Sequence, residues 1–203
     1  MLKRAERGDT LIEVLFAFAV LSLVVVGALA IMNQGSIASQ RALETTLVRD
    51  EIDAQATTLR FLHDAYVAAY QTNKTYDPAT PAGQWDLLSK TILTNNAASA
   101  FGAAGTCKPP LKSFILNTTT AKFNNDQANL IAAPIFSQVT YNGTALNKAE
   151  GIWIEGQRGD LNNGTNKNNT QYIDFHIRAC WDGPGQGPKM TLGTIVRLYE
   201  PRN

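Results

Sequence analysis

The residues able to do chemistry are few. Cys107 and Cys180 are the two cysteines of the chain, and His63 and His176 are the two histidines. His176 and Cys180 lie four apart in YIDFHIRACW, so strand alternation sets them on one face. That is the arrangement a thiolate–imidazole pair needs. No oxyanion-forming glycine motif accompanies them, and no enzyme activity is expected. Two cysteines are too few for a four-ligand zinc site. A disulfide between Cys107 and Cys180 is expected if that part of the chain meets an oxidising compartment. It would close a loop worth about 4 kcal/mol in the loop-entropy treatment. Two buried thiols are the alternative. Asp160, Asn162, Asn166 and Asn168 could offer oxygens to calcium, but the EF-hand glycine and closing glutamate are missing. A solvated loop is the expected reading there, with calcium the weaker one. No cofactor is expected.

One further carboxylate stands out by its place. Glu13 lies directly before VLFAFAVLSLVVVGALAIM, Val14 to Met32, which has no ionisable group. As a helix this run spans about 28 Å, close to a bilayer hydrocarbon core. A carboxylate at the edge of an apolar helix is costly to bury unless paired. In a bundle of such helices its partner is the positive amine of a neighbouring chain, which would set the axial register between copies. Otherwise Glu13 lies in water at headgroup level. Lys3, Arg4 and Arg7 precede the run, so the N-terminus should stay cytoplasmic and the C-terminal part should be outside. Three identities compete for the segment. A secretory signal peptide has a shorter apolar region and small residues at its end. A plain membrane anchor fits the length. The third depends on Gly8-Asp9-Thr10-Leu11-Ile12-Glu13.

That string resembles the cleavage motif of type IV prepilins and pseudopilins. The resemblance implies a cut by a prepilin peptidase between Gly8 and Asp9, and methylation of the new amine on Asp9. It places threonine second (Thr10) and glutamate fifth (Glu13) in the mature chain. The departure is Asp9, where the family usually carries phenylalanine. Beside Glu13 it adds a second carboxylate, which could pair with its own amine. The close resemblance covers about 30 residues.

The elements behind these residues follow from periodicity. Ile37, Leu43, Leu47, Val48, Ile52, Leu59, Leu62, Tyr66, Val67 and Tyr70 recur at helical spacing. Arg41, Glu44, Arg49, Asp50, Glu51, Asp53 and Arg60 are expected on the opposite face. No proline occurs before Pro78, so one helix should run from about Thr10 to about Tyr70; an isolated coiled coil is the alternative. Residues 71–83 read as a loop and Gln84–Leu93 as a short helix. Strands are expected in Leu111–Leu116, in Ile131–Tyr141 broken at Pro134, and over Gly151–Glu155, Tyr172–Trp181 and Met190–Tyr199. The last two are joined by the loop Asp182–Pro188. Asn73, Asn117, Asn142, Asn163 and Asn168 each open a glycosylation triplet, which chance can supply in so Asn- and Thr-rich a chain.

Together these give an α+β, pilin-like fold: a long N-terminal helix, half membrane and half amphipathic, packed on a small antiparallel sheet. The expected division is a leader at 1–8, a transmembrane or filament-core helix at 9–32, its amphipathic continuation at 33–70, and an extracytoplasmic β-rich head at 71–203. Lys+Arg 18 against Asp+Glu 17, with no basic run, gives no sign of nucleic-acid binding. The resemblance implies a structural subunit, a minor pilin or pseudopilin of a type IV pilus or type II secretion-like filament. Its partners would be other pilin or pseudopilin subunits, the prepilin peptidase, and cytoplasmic membrane lipids with the assembly platform. The competing class is a single-pass membrane-anchored adhesin or binding domain that does not polymerise.

Overall fold

Sixty-one residues without proline, apolar all round at first and apolar on one stripe later, form a single helix. In a computed structural model, which describes residues 9–71, 74–93, 107–160, 171–185 and 187–201, helix α1 spans Asp9–Ala69, about 90 Å at the α-helical rise. The chain forms two compact units, divided after Ala42.

In the second unit α1 supplies Val48, Ile52, Ala56, Leu59 and Leu62 to the core, all buried. Helix α2 covers Pro81–Leu93 and adds Trp85 and Leu88. It starts three residues before the expected Gln84. Thr80 caps it, its hydroxyl accepting from the Gly83 amide at 3.2 Å, and Pro81 fills the first helical position, where no amide is needed. A Cβ on Gly83 would stand 1.9 Å from the Asp77 carbonyl oxygen, so glycine lets the approaching chain fold against the first turn.

The strands are β1 (Ile115–Asn117), β2 (Lys122–Asn124), β3 (Leu130–Ile131), β4 (Gln138–Asn142), β5 (Ala145–Glu150), β6 (Ile152–Asp160), β7 (Gln171–Trp181) and β8 (Met190–Tyr199). The largest sheet is antiparallel, in the order β6-β7-β8, with an unbroken register between β7 and β8. Its Ile152, Ile154, Ile173, Phe175, Ile177, Ala179 and Val196 are buried, and Phe175 meets Trp85 edge-on at 5.6 Å. β1 and β2 form an antiparallel ribbon. The third sheet runs β3-β5-β4; its two-residue β3 pairs parallel with β5, the exception to the antiparallel rule. The fold is thus α+β, a long helix with small, mostly antiparallel sheets.

Gly151 joins these parts. Its amide donates to Ile131 at 2.7 Å, and its carbonyl accepts from the Cys180 amide at 2.8 Å. Its φ is +65°, and an added Cβ would meet the Cys180 carbonyl oxygen at 2.5 Å. The position requires glycine on both counts.

Polar side chains of the helices close the strand edges. Gln55 is fully buried. Its Nε2 donates to the Leu116 carbonyl and its Oε1 accepts from the Leu116 amide, both at 3.0 Å. On the other edge of the ribbon, the Phe123 amide donates to Gln84 Oε1 at 2.7 Å. Glu51 accepts from the backbone of Val139, Glu44 accepts from Trp181 Nε1 at 3.0 Å, and His63 Nε2 meets the Tyr199 carbonyl at 2.9 Å. At about 100° per residue, Glu44, Glu51 and Gln55 share one flank of the apolar stripe and His63 lies on the other. This corrects the expectation that Glu44 and Glu51 belong to the open face: Glu51 borders the core because the open edge of β4 needs a partner, and Glu44 because the buried Trp181 indole N–H does.

Candidate functional site

The first half of α1 is the most unusual surface of the chain. Leu11 through Ser36 are all exposed, and Val48 is the first buried residue of the helix. An 18-residue stretch reaches a mean hydropathy of 2.9 with none of it buried, and α1 is the one helix among the described residues long and apolar enough to cross a membrane. Between Val14 and Met32 thirteen large apolar side chains stand open, Leu23 at 75% exposure among them. At about 1.5 kcal/mol or more for each one removed from water, covering them is worth about 20 kcal/mol. That exceeds the whole stability of an ordinary domain.

The polar groups of this stretch suit an apolar medium. Ser22 turns its hydroxyl back onto the Ala19 carbonyl at 2.8 Å, so it carries no unmet donor into lipid. A Cβ added to Gly27 or Gly35 would touch nothing, so the chain's own packing does not call for glycine there. Small residues let a second helix approach closely.

The expected assembly residue, Glu13, is exposed one turn into the helix, just before the apolar run. A carboxylate there is favoured by the positive end of the helix. Asp9 is the first helical residue. Gly8, the other half of the expected cleavage bond, lies outside the described residues, as do Asn162, Asn166 and Asn168 of the calcium reading. Asp160 ends β6, with its side chain not described.

In the second unit Cys107 and Cys180 are joined by a disulfide, with Cα atoms 5.2 Å apart, and both are buried. His176 shares the Cys180 face of β7, but the bond leaves no thiol for a nucleophilic pair. His63 is held by Tyr199 and packs edge-on against Trp85 at 4.9 Å, a structural placement. Among the described residues no group of three or more histidine, cysteine, aspartate or glutamate side chains could hold a metal. Asn117, expected as a glycosylation triplet, is buried. Its amide donates to the Thr144 carbonyl, and its oxygen accepts from the Thr119 and Thr120 amides. Asn142 is exposed beside the β4–β5 turn. Asn73 and Asn163 lie outside the described residues.

Shifted titrations follow structure. Burial pushes the Glu51 carboxyl up, partly offset by its bonds to Gln55 and Val139. Burial pushes the Tyr66 hydroxyl up to about 12. The Asp174 carboxylate, which holds Arg197 through two 2.7 Å bonds, raises that guanidinium further.

No curated protein and no solved structure matches the chain. Residues 3–29 match the family model of the prokaryotic N-terminal methylation motif. The match covers the basic flank, Gly8 to Glu13 and most of the exposed apolar helix, so this chain carries the prepilin signal of type IV pilins and pseudopilins.

Proposed function

We propose that this protein is a structural filament subunit, a minor pilin or pseudopilin. A prepilin peptidase cuts it between Gly8 and Asp9, and it assembles through the apolar half of α1. The chain then divides into a leader at 1–8, a core helix at 9–32, an amphipathic continuation at 33–70 and an outer head at 71–203. Before assembly the helix lies in the cytoplasmic membrane, with its N-terminus cytoplasmic and the head outside. It later exchanges lipid for the helices of neighbouring subunits. The observation that carries this reading is the pairing of the matched motif with an apolar helix that no other described residue covers. Both destinations are apolar, so the transfer keeps most of the roughly 20 kcal/mol of burial.

Glu13 gives the exchange its register. In a helix bundle its carboxylate is desolvated and needs a cation. The free amine made by the cut at Asp9 of a neighbouring subunit supplies it. Methylation of that amine preserves the charge. Asp9 competes locally for the same amine.

The test is the mature terminus in cells that make the filament. A terminal sequence beginning at Asp9 is expected, with an intact head. A terminus at Met1, or beyond Met32, overturns the proposal. With processing established, Glu13→Ala should leave the cut intact and reduce assembled subunit at least tenfold. Undiminished assembly removes Glu13 from the mechanism.

A further inference from the structure

Two of the Asn-x-Thr triplets meet in the fold, and the structure treats them in opposite ways. In Asn117-Thr118-Thr119 the asparagine is buried. Its side-chain amide is held at both ends, by the Thr144 carbonyl and by the Thr119 and Thr120 amides. In Asn142-Gly143-Thr144 all three residues are exposed. Neither the Asn142 amide group nor the Thr144 hydroxyl has a hydrogen-bond partner among the described residues.

The exposed triplet forms the tip of the β4–β5 hairpin. Asn142 pairs with Ala145, so Gly143 and Thr144 are the whole loop. Gly143 has a φ of +62°, and Thr144 is not among the non-glycine residues with positive φ. That is the pattern of a type II′ turn. The base of the tip is fixed: Asn117 Nδ2 donates to the Thr144 carbonyl at 2.8 Å, and the Tyr141 hydroxyl meets that of Thr118 at 2.8 Å. The buried triplet thus anchors the backbone of the exposed one and leaves the Asn142 and Thr144 side chains in solvent. A Cβ on Gly143 would touch nothing within 4 Å, so the outside of the turn is open to an approaching enzyme.

We propose that Asn142 is the acceptor of an N-linked glycan, transferred outside the cytoplasm from a polyprenyl diphosphate carrier. In that step Asn142 Nδ2 gives one proton to a base of the transferase and forms a bond to the anomeric carbon of the sugar. The bond from that carbon to the phosphate oxygen breaks, and polyprenyl diphosphate leaves. An amide nitrogen is a poor nucleophile while its lone pair is shared with its carbonyl, so the transferase must be able to seize and turn the group. Asn142 is free to be turned. Asn117 would first lose three hydrogen bonds and its burial, so it stays bare. The Thr144 hydroxyl, two residues on, completes the acceptor triplet. A glycan is bulky and hydrophilic, and a solvent-facing hairpin tip gives it room. The inference rests on the proposed placement of the head outside the cytoplasm, and not on filament assembly.

The test is peptide mapping by mass spectrometry of the full-length protein from the cells that make it. Trypsin releases Asn142 in the peptide 123–148 and Asn117 in the peptide 113–122, and neither peptide holds another Asn-x-Thr triplet. The peptide 123–148 should carry the added mass of one or more sugar residues, with fragmentation placing it on Asn142. The peptide 113–122 should be bare. Asn142→Gln should abolish the addition, Thr144→Ala should lower it at least tenfold, and Thr144→Ser should keep it. The side chains changed are exposed, so the melting midpoint should stay with the parent's. A bare peptide 123–148, an addition that survives Asn142→Gln or lies on Thr144, conversion of Asn142 to aspartate with no sugar, or equal modification of Asn117 overturns the proposal. The same digest reports the state of Cys107 and Cys180. A bare Asn142 with the bond intact overturns this proposal and leaves the outside placement of the head standing. A bare Asn142 with both cysteines reduced overturns both.

Discussion

Gln55→Met tests whether helix α1 holds the second unit by hydrogen bonds as well as by its apolar stripe. Gln55 and Leu116 are both fully buried, and the two 3.0 Å bonds between them satisfy one amide and one carbonyl of β1. Methionine keeps the length and volume of glutamine, so no cavity confuses the result. It leaves two backbone groups buried without partners, at about 1–3 kcal/mol each. Part of this is offset by the added apolar burial, leaving a net loss of about 3 kcal/mol. For a unit of this size that lowers the melting midpoint by about 6–12 °C. Trp85, Trp153 and Trp181 are all nearly or fully buried in the second unit, so tryptophan emission of the detergent-solubilised chain reports its unfolding. Gln84→Met is the comparison. It frees the Phe123 amide, on a half-exposed strand that water can reach, and the exposed Pro78 carbonyl, and should cost about 1 kcal/mol or less. A Gln55→Met midpoint within about 2 °C of the parent, or no lower than that of Gln84→Met, refutes the reasoning.

Three further outcomes follow from the same geometry. Gly151→Ala should lower stability by about 2 kcal/mol or more, because alanine at positive φ is strained and its methyl would meet the Cys180 carbonyl; an unchanged denaturant midpoint counts against it. Replacing Cys107 and Cys180 together with serine should cost about 4 kcal/mol, read as the loss against the oxidised parent in urea; a loss under about 1 kcal/mol would show that the cross-link is idle. Glu51→Gln should stabilise the second unit at neutral pH. Burial holds the folded Glu51 carboxyl above its unfolded value, so its contribution is fully present below that unfolded value and is lost as pH rises through the folded one. The gain from glutamine should therefore shrink as pH falls through the folded value and be gone by about pH 4, and a gain independent of pH would contradict the burial.

The parts legible in the sequence are those where one segment carries its own signal. The apolar block, the 3- and 4-residue spacing and the lack of proline specify α1 to within a residue or two of Asp9–Ala69. Alternation in YIDFHIRACW and MTLGTIVRLY marks β7 and β8 because one face of each is buried. β2 and β5 carry no strand signal of their own. KFN and ALNKAE lack a β-branched run, and they are strands because their neighbours demand pairing: β2 lies between β1 and Gln84, and β5 between β3 and β4. The start of α2 is hidden because Thr80-Pro81-Ala82-Gly83 contains loop formers that serve equally as a helix cap and first turn. From sequence Glu44 and Glu51 point to solvent, because a charge reads as a solvated face. Nothing in a local pattern reveals that a strand edge or a buried indole N–H far along the chain takes that carboxylate.

The motif at the start of the chain and the packing at its end place opposite demands on one helix. From Leu43 onward α1 is stabilised within its own unit, by Val48, Ile52, Leu59 and Leu62 in the core, by Glu51, Gln55 and His63 at strand edges and by Glu44 at the Trp181 indole. Before Ile37 every described side chain of the helix is exposed. An isolated stretch of that kind gains no tertiary stabilisation, and its apolar surface must be covered by lipid or by other chains. Nucleation is the unfavourable step in helix formation and propagation is not, so a helix already fixed by a folded unit can be extended at little cost. Fixing residues 43–69 in the second unit therefore supplies the nucleus. The residues before them can remain helical while their surroundings change from lipid to neighbouring subunits. A chain in which Gln55→Met loosens that anchor should lose assembled subunit as well as head stability. Glu13→Ala should reduce assembly with the melting midpoint unchanged. Loss of both properties on Glu13→Ala would contradict this separation of roles along the helix.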